Sequence, residues 1–450
     1  MPAKIVLTIT QGQLSGTQYV YEDREVCTIG RHKDCNVRLP SDADHAQVSR
    51  YHCLLDINPP FIRVRDLGSG NGTYVNGQRV GSQQKAANSG NEGPERELVD
   101  GDLLQIGFTA FAVKIEDTGS ASSVLSRSEF VPPSNRQAAN DLLSLAAGDH
   151  PSLTGIRGYT IVKLLGAGKC GAVYLAQNDH TAEMVALKVM LPQIAVNDRA
   201  VKMFIREMAN TQSLHHPNVV RTIDYGEAKN IFYFTMECCH EGSVADFIVN
   251  QGGKIPLKIA ISITLQVLAG LEYTHNAVLP AVRLADGSIG EGQGLVHRDL
   301  KPANIFLQRS GDKTLAKIGD YGLAKAFELA GMSGQTMTGQ GGVMGTPSYM
   351  SRQQLLNTKY VQPAVDVWAT AACLYNMLTG VPPRNFGKRD TLQVILQDGA
   401  VPILKRDPSI PKPLAAVIDQ ALQEDQNNHH DIFYKRAIDF RNALAAALSQ

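Results

Sequence analysis

Between residues 158 and 322 a few residue types recur in an order that chemistry can use. Gly166-Ala167-Gly168-Lys169-Cys170-Gly171-Ala172-Val173 follows a run with strand character, and glycines in such a turn let backbone approach a ligand with no side chain in the way. Lys188 stands in VALKVM, Glu207 lies on a stretch with helical spacing, HRDLKPAN spans 297–304, and Asp320-Tyr321-Gly322 follows. The set offers cations in Lys188 and Lys301, carboxylates in Glu207, Asp299 and Asp320, and an amide in Asn304. Carboxylate and amide oxygens are the hard ligands that cations such as Mg²⁺ prefer. Singly, each residue has a plain reading: a hairpin turn, a surface lysine, a helix-capping aspartate, a turn asparagine. In this order the plain readings fail together.

The ordered set resembles the protein kinases, over roughly 158 to 450. The resemblance implies a bilobal α+β fold and an ATP-dependent reaction in which positioning and charge neutralisation do most of the chemistry. It assigns the nucleotide to Gly166, Ala167, Gly168, Lys169, Cys170, Gly171 and Val173, to the hinge residue Glu237, and to Lys188 held by an ion pair to Glu207. It assigns Mg²⁺ (or Mn²⁺) to Asn304 and Asp320, the proton of the acceptor hydroxyl to Asp299, and the transferring phosphate to Lys301. Lys301 in HRDLKP and Thr346 in GTP match the Ser/Thr branch, so protein serine or threonine hydroxyls are the expected acceptors. Tyr321 keeps an aromatic ring where the family more often has Phe, a change expected to matter little. Met236 either borders the adenine pocket or is plain core.

Arg298, next to Asp299, is of the kind that pairs with a phosphate on the activation loop. Thr336 and Thr338 are the expected autophosphorylation sites. Where relatives carry Ala-Pro-Glu, this chain has Ser351-Arg352-Gln353. The expected partner of that Glu is an arginine, here Arg436, and the neutral Gln353 predicts a weaker tether that Glu at 353 would strengthen. Residues 277–294 lengthen the connection into HRD, either as a tolerated surface insertion or as a docking loop. Cys170 reads as an ordinary loop thiol, with oxidant sensing the sharper alternative.

These residues need elements to hold them. From 158 the texture is three strands, a helical stretch, two more strands and then long helical segments. Residues 3–115 instead show short alternating runs broken by Gly, Asn and Asp, the pattern of an all-β sandwich or barrel. Gly30-Arg31, Ser49-Arg50-Tyr51-His52, GSGNGTYVNG at 68–77 and LVDGDLLQIG at 98–107 fall between those runs. They resemble the forkhead-associated (FHA) domains, β-sandwiches that bind phosphothreonine peptides through loops at one end. The resemblance implies phosphate contacts from Arg31, Ser49 and Arg50 and a peptide-backbone contact from Asn71. His52 is expected to brace the loop, and Gly70 to remove one contact that a threonine makes in many relatives.

Three segments follow: an FHA domain over 1–116, a flexible Ser/Pro-containing linker over 117–156, and a kinase domain over 157–450. With 43 Lys+Arg against 43 Asp+Glu, no net field concentrates the chain on nucleic acid or an acidic membrane. Seven cysteines without a CxxC pair read as reduced thiols of a cytoplasmic protein. No window has the ~18 consecutive apolar residues of a membrane span. The expected partners are protein substrates and phosphothreonine-containing proteins, including the chain's own phosphorylated copies. The alternative function is a phosphopeptide-binding scaffold carrying a catalytically silent kinase fold.

Overall fold

The computed structural model describes residues 3–80, 95–116, 156, 158–168, 171–190, 198–228, 231–283, 289–311, 313–321, 347–357, 361–387, 389–425 and 431–449. The amino-terminal strands are β1 (Lys4–Gln11), β2 (Gln18–Tyr21), β3 (Glu25–Gly30), β4 (Val37–Arg38), β5 (Cys53–Asn58), β6 (Phe61–Asp66), β7 (Thr73–Val75), β8 (Gln78–Arg79), β9 (Glu95–Leu98), β10 (Leu103–Ile106) and β11 (Thr109–Glu116). They make two sheets, in the orders β2-β1-β11-β10-β7-β8 and β4-β3-β5-β6-β9. Alternation puts Ile5, Leu7 and Ile9 of one sheet against Cys53, Leu55 and Ile57 of the other, the dry interior of a sandwich. β5 departs from simple alternation, because Leu54 on its outer face is buried as well.

The small lobe is the sheet β12 (Tyr159–Gly168), β13 (Gly171–Asn178), β14 (Met184–Met190), β15 (Thr222–Ala228) and β16 (Ile231–Glu237), in the order β12-β13-β14-β16-β15. Helix α1 (Asp198–Gln212) lays Phe204 and Met208 on it, beside Phe234 and Met236. Gly171 is fixed by sterics: a Cβ there would stand 1.9 Å from the Val189 carbonyl oxygen, at a φ of +149°.

The large lobe begins with α2 (Val244–Asn250), opened by a capping box between Ser243 and Asp246. Helix α3 (Leu257–Asn276) follows; its 20 residues match a membrane span in length and apolar composition. Here it is the core helix, with Ile263, Val267 and Leu271 packed beside Val367 and Leu374. Residues 277–294 are an ordered hairpin at both ends, β17 (Val278–Arg283) with β18 (Ile289–Gln293). It clasps α1, since the Asn210 side chain donates to the Ala281 carbonyl and accepts from the Ala281 N–H, both at 3.0 Å. The hairpin β19 (Ile305–Ser310) and β20 (Lys313–Ile318) precedes α4 (Arg352–Leu356), α5 (Ala364–Thr379), α6 (Thr391–Gln397) and α7 (Lys412–Ala421). The short pair β21 (Glu424–Asp425) and β22 (Asp431–Ile432) leads to α8 (Ala437–Leu448). Every residue of α5 is buried, and Gly380 closes it in the left-handed conformation at φ 78°.

The sandwich docks on the large lobe. Val26, Cys35, Tyr51, Leu54 and Leu67 form one buried cluster with Leu355 and Leu356 of α4 and Leu392, Ile395 and Leu396 of α6. Arg65 of β6 pairs with Asp390, which also caps α6 by accepting from the Leu392 and Gln393 N–H groups at 3.0 and 3.1 Å. The Asn36 amide donates to the Leu356 carbonyl at 3.5 Å. Residues 117–155, which carry the linker, lie outside the described residues.

Candidate functional site

The cleft between the lobes gathers groups from five segments. β13 and β14 set Val173 opposite Lys188, and β16 sets Phe234 on its other side, so the Lys188 ammonium stands 5.7 Å from the Phe234 ring centre. Its ion-pair partner is Asp320, at 2.8 Å. This corrects the expected pair with Glu207, whose carboxylate meets Arg206 at 3.3 Å. Asp320 has the greater need of a cation: its Oδ1 is buried and, apart from the Lys188 ammonium, meets no hydrogen-bond donor among the described residues. Burial alone would raise its carboxyl; the charge and hydrogen bond of Lys188, with Lys301 adding to them, outweigh that and hold it below the ordinary value.

Residues 297–304 fold around Asp299. The Lys301 ammonium lies 2.7 Å from Asp299 Oδ2. The Asn304 amide donates to the Asp299 carbonyl at 2.8 Å and to its Oδ2 at 3.2 Å, which leaves the Asn304 Oδ1 as an acceptor. Gly319 N–H donates to the Asn304 carbonyl at 2.9 Å, so Asp320 and Asn304 are neighbours. The Asn304 amide oxygen beside the buried Asp320 carboxylate fits a hard divalent cation.

The loop is held from below. Arg298 adopts φ 69°, and Asp366 of α5 accepts from the His297 and Arg298 N–H groups at 2.8 and 2.9 Å. His275, which the sequence reading missed, closes on the same carboxylate at 2.8 Å. Burial would raise Asp366, but His275 and His297 overcome it and keep the group ionised below its usual range. His297 donates from Nε2 to the Gly319 carbonyl at 2.8 Å and accepts at Nδ1 from the Asp299 N–H at 3.2 Å, which fixes its tautomer. Tyr321 is more than a substitute ring, because its buried hydroxyl meets Thr274 Oγ1 at 3.1 Å.

Met236 is core and pocket wall at once, buried with Phe204 and lining a small cavity with Asp320 and Tyr321. Glu237 has its carboxylate bound by Lys317 at 2.9 and 3.0 Å and its N–H donating to the Arg221 carbonyl at 3.0 Å. Gly166, Ala167 and Gly168 end β12 opposite Gly171 and Val173 of β13. Lys169, Cys170, Thr336, Thr338 and Thr346 lie outside the described residues.

The anchor of Ser351-Arg352-Gln353 differs from the expected one. Arg436 is 73% exposed and pairs with Asp439 at 2.6 Å, so it cannot be the buried partner. Arg384 takes that place: fully buried, it stacks 4.5 Å over the Trp368 ring, donates to the Met350 carbonyl at 2.8 Å and pairs with Glu424 at 2.6 Å. Glu424 also accepts from the Arg352 N–H, and the Arg352 side chain donates to the Ile395 and Asp398 carbonyls at 2.9 Å each, at the end of α6. The charge missing at 353 is therefore supplied by Glu424. Gln354 donates to the Arg298 carbonyl, tying α4 to the Asp299 loop.

At the other end of the chain, three loops of the sandwich meet. Arg31 N–H donates to the Ser49 carbonyl at 3.2 Å and its Nε to the Val48 carbonyl. Ser49 Oγ accepts from Gly70 N–H at 3.1 Å, and the Asn71 amide donates to the Gln47 carbonyl at 2.8 Å. Gly30 permits this closeness, since a Cβ there would lie 2.2 Å from the Arg50 carbonyl oxygen. His52, fully buried, accepts from Ser49 N–H and donates to the Gly72 carbonyl, both at 3.1 Å; burial lowers its pKa, as a neutral brace requires. Arg50 is exposed and Gly70 has open space around it. His32, beside Arg31, meets the Tyr51 hydroxyl at 2.9 Å. Burial, with the neighbouring Arg50 and Lys33, lowers its pKa against the pull of Asp34.

Comparison with known proteins places these two sites in known company. Residues 159–432 match the family model described as protein kinase domain, and residues 27–107 that of the FHA domain. A probable serine/threonine-protein kinase of Clostridium perfringens is 30% identical over 273 residues, 60% of this chain and 36% of that protein. The serine/threonine-protein kinase PrkC of Bacillus subtilis is 27% identical over 291 residues, 64% of this chain and 41% of that protein. The chain thus spans well under half the length of these relatives. The crystal structure of Rad53 1-466 in complex with AMP-PNP is similar at 20% identity and a TM-score of 0.45, covering 98% of this chain and 95% of that one.

Proposed function

Because this chain belongs to the protein kinase family and carries an FHA domain ahead of its catalytic lobes, we propose that it transfers the γ-phosphate of ATP to serine or threonine hydroxyls of proteins. The observation that carries this reading is the cluster of Asp299, Lys301 and Asn304 beside the Lys188–Asp320 pair. Asp299 would orient the acceptor hydroxyl and take its proton as the oxygen bonds to the γ-phosphorus and the bond from that phosphorus to the β-phosphate oxygen breaks, with ADP as the leaving group. Lys301, already on that carboxylate, stabilises charge on the transferring group. Lys188 moves from Asp320 to the α and β phosphates. A divalent cation such as Mg²⁺, held by Asn304 Oδ1 and Asp320, supplies charge neutralisation when bound. Asp320, now paired with Lys188, would be free to hold the cation once Lys188 turned to the phosphates. Closure of Lys188 onto Glu207 accompanies the exchange.

We assign phosphothreonine recognition to Arg31, Ser49, Arg50 and Asn71, and autophosphorylation to Thr336 and Thr338. Buried thiols, none of them in a disulfide among the described residues, suit a reducing cytoplasmic setting. The test is transfer of labelled phosphate by the wild type and by Asp299→Ala. A loss of at least ~10²-fold is expected; equal signals would leave the scaffold as the surviving reading.

A further inference from the structure

We propose that the FHA sandwich is a fixed part of the large lobe, so that the chain selects proteins in which a phosphothreonine and the acceptor hydroxyl lie at a set spacing. This rests on the kinase and phosphothreonine-reading roles proposed above and adds a geometric rule to them.

The apolar contact argues first. Val26, Leu54 and Leu67 on the outside of one sandwich sheet are buried against Leu355, Leu392 and Ile395, a face that an independent tethered module would leave wet. Polar groups fix its register. Arg65 reaches Asp390, Asn36 reaches the Leu356 carbonyl, and the loop at Gly68 abuts Gln393 closely enough that a Cβ would lie 3.0 Å from its amide nitrogen.

Continuity argues second. Helix α4 has 5 residues. Its middle residue, Gln354, holds the Arg298 carbonyl, one residue from Asp299; its last, Leu356, receives Asn36, which also accepts from Thr28 at the foot of the Arg31 loop. Helical rise over α4 and full extension from Asn36 back to Arg31 keep Arg31 and Asp299 within roughly 40 Å, the reach of about a dozen extended residues. A flexible tether of the length of 117–155 would instead give a local concentration that falls only slowly with spacing.

The experiment uses the full chain and synthetic peptides that carry phosphothreonine, a Gly/Ser spacer of graded length and an acceptor serine. Each is compared with its unphosphorylated twin. The docked wild type is expected to show at least a tenfold gain in kcat/KM over a narrow window of spacers and little gain outside it. Leu54→Asp, which lies outside the sandwich interior and both sites, is expected to flatten that window while generic-peptide turnover and phosphopeptide Kd hold. Arg65→Asp, which removes the ion pair to Asp390 while leaving the α6 cap in place, is expected to broaden it. Loss of transfer to every peptide in the wild type would overturn the kinase reading with this one. Transfer without phosphopeptide binding would overturn the reader. Intact transfer and binding with a window as flat in the wild type as in Leu54→Asp would overturn this proposal alone.

Discussion

Arg352 and Arg384 bring two guanidinium groups into the interior, and Glu424 is the carboxylate both approach. Removing it leaves buried charge without compensation, so Glu424→Gln is expected to cost about 3–5 kcal/mol, read from urea unfolding. Gln353→Glu, by contrast, should not raise stability, because the arginine it would have met is already paired; a higher midpoint would contradict this. The sequence shows the missing Glu at 353 plainly. It does not show Glu424, which lies outside any motif and meets Arg352 only after the chain has folded back through α5, α6 and α7. The same holds for His275, an ordinary last-turn histidine until Asp366 arrives. Types at fixed local spacing were legible; counter-ions recruited from far along the chain were not. A second charge gives a pH signature. Burial lifts Glu95 to about 7, against the pull of Arg65. A carboxyl whose folded pKa is raised favours the folded state while protonated, so this contribution is full below pH ~4.5 and lost by pH ~7. Glu95→Gln should therefore stabilise the chain at pH 8 relative to the wild type, on the order of 2 kcal/mol, and change little at pH 4.5. Denaturant titrations at both values would show it.

At the scale of elements, α6 is both a helix and an interface. Asp390 caps its first turn and pairs with Arg65, so Asp390→Ala should cost ~1 kcal/mol for the cap and more because Arg65 is left without that partner. Asp390→Asn retains the capping oxygen, and comparing the two variants separates the contributions. The hairpin of β17 and β18 grips α1 through Asn210. Asn210→Ala leaves the half-buried N–H and C=O of Ala281 without that partner and is expected to cost about 1 kcal/mol, with the amide exchange of Ala281 as a local readout. Strand content in the sandwich was readable from alternation, and the lobes from the switch to helical spacing. The hairpin was read as an insertion, and either alternative left its role to be found. Its sequence is rich in glycine, which names turns but not the helix they would clasp. β5 misled in a different way. Cys53-Leu54-Leu55 breaks the polar-out rule, and sequence alone offers no surface for Leu54 to cover.

For the molecule as a whole, the linker read over 117–156 leaves open how the two motif-bearing regions sit. The cluster from Val26 to Leu396 joins them. Unfolding should then follow a single transition by probes in the sandwich and in the large lobe, and Leu54→Asp should separate it into two, as calorimetry would resolve. Docking also brings the two sites together, since Asn36, at the foot of the Arg31 loop, meets the last residue of α4 and the Arg298 carbonyl meets its middle residue, Gln354. The outer face of β5 carries a further consequence, one that belongs to descent rather than to catalysis. Shuffling of domains between genes works when each module arrives with a finished surface. A sandwich that carries Leu54 and Leu67 outward arrives unfinished, and lobes that carry Leu355 and Leu392 outward are unfinished in the complementary way. A graft of either half onto a foreign counterpart would leave that stripe facing water unless its apolar residues were replaced.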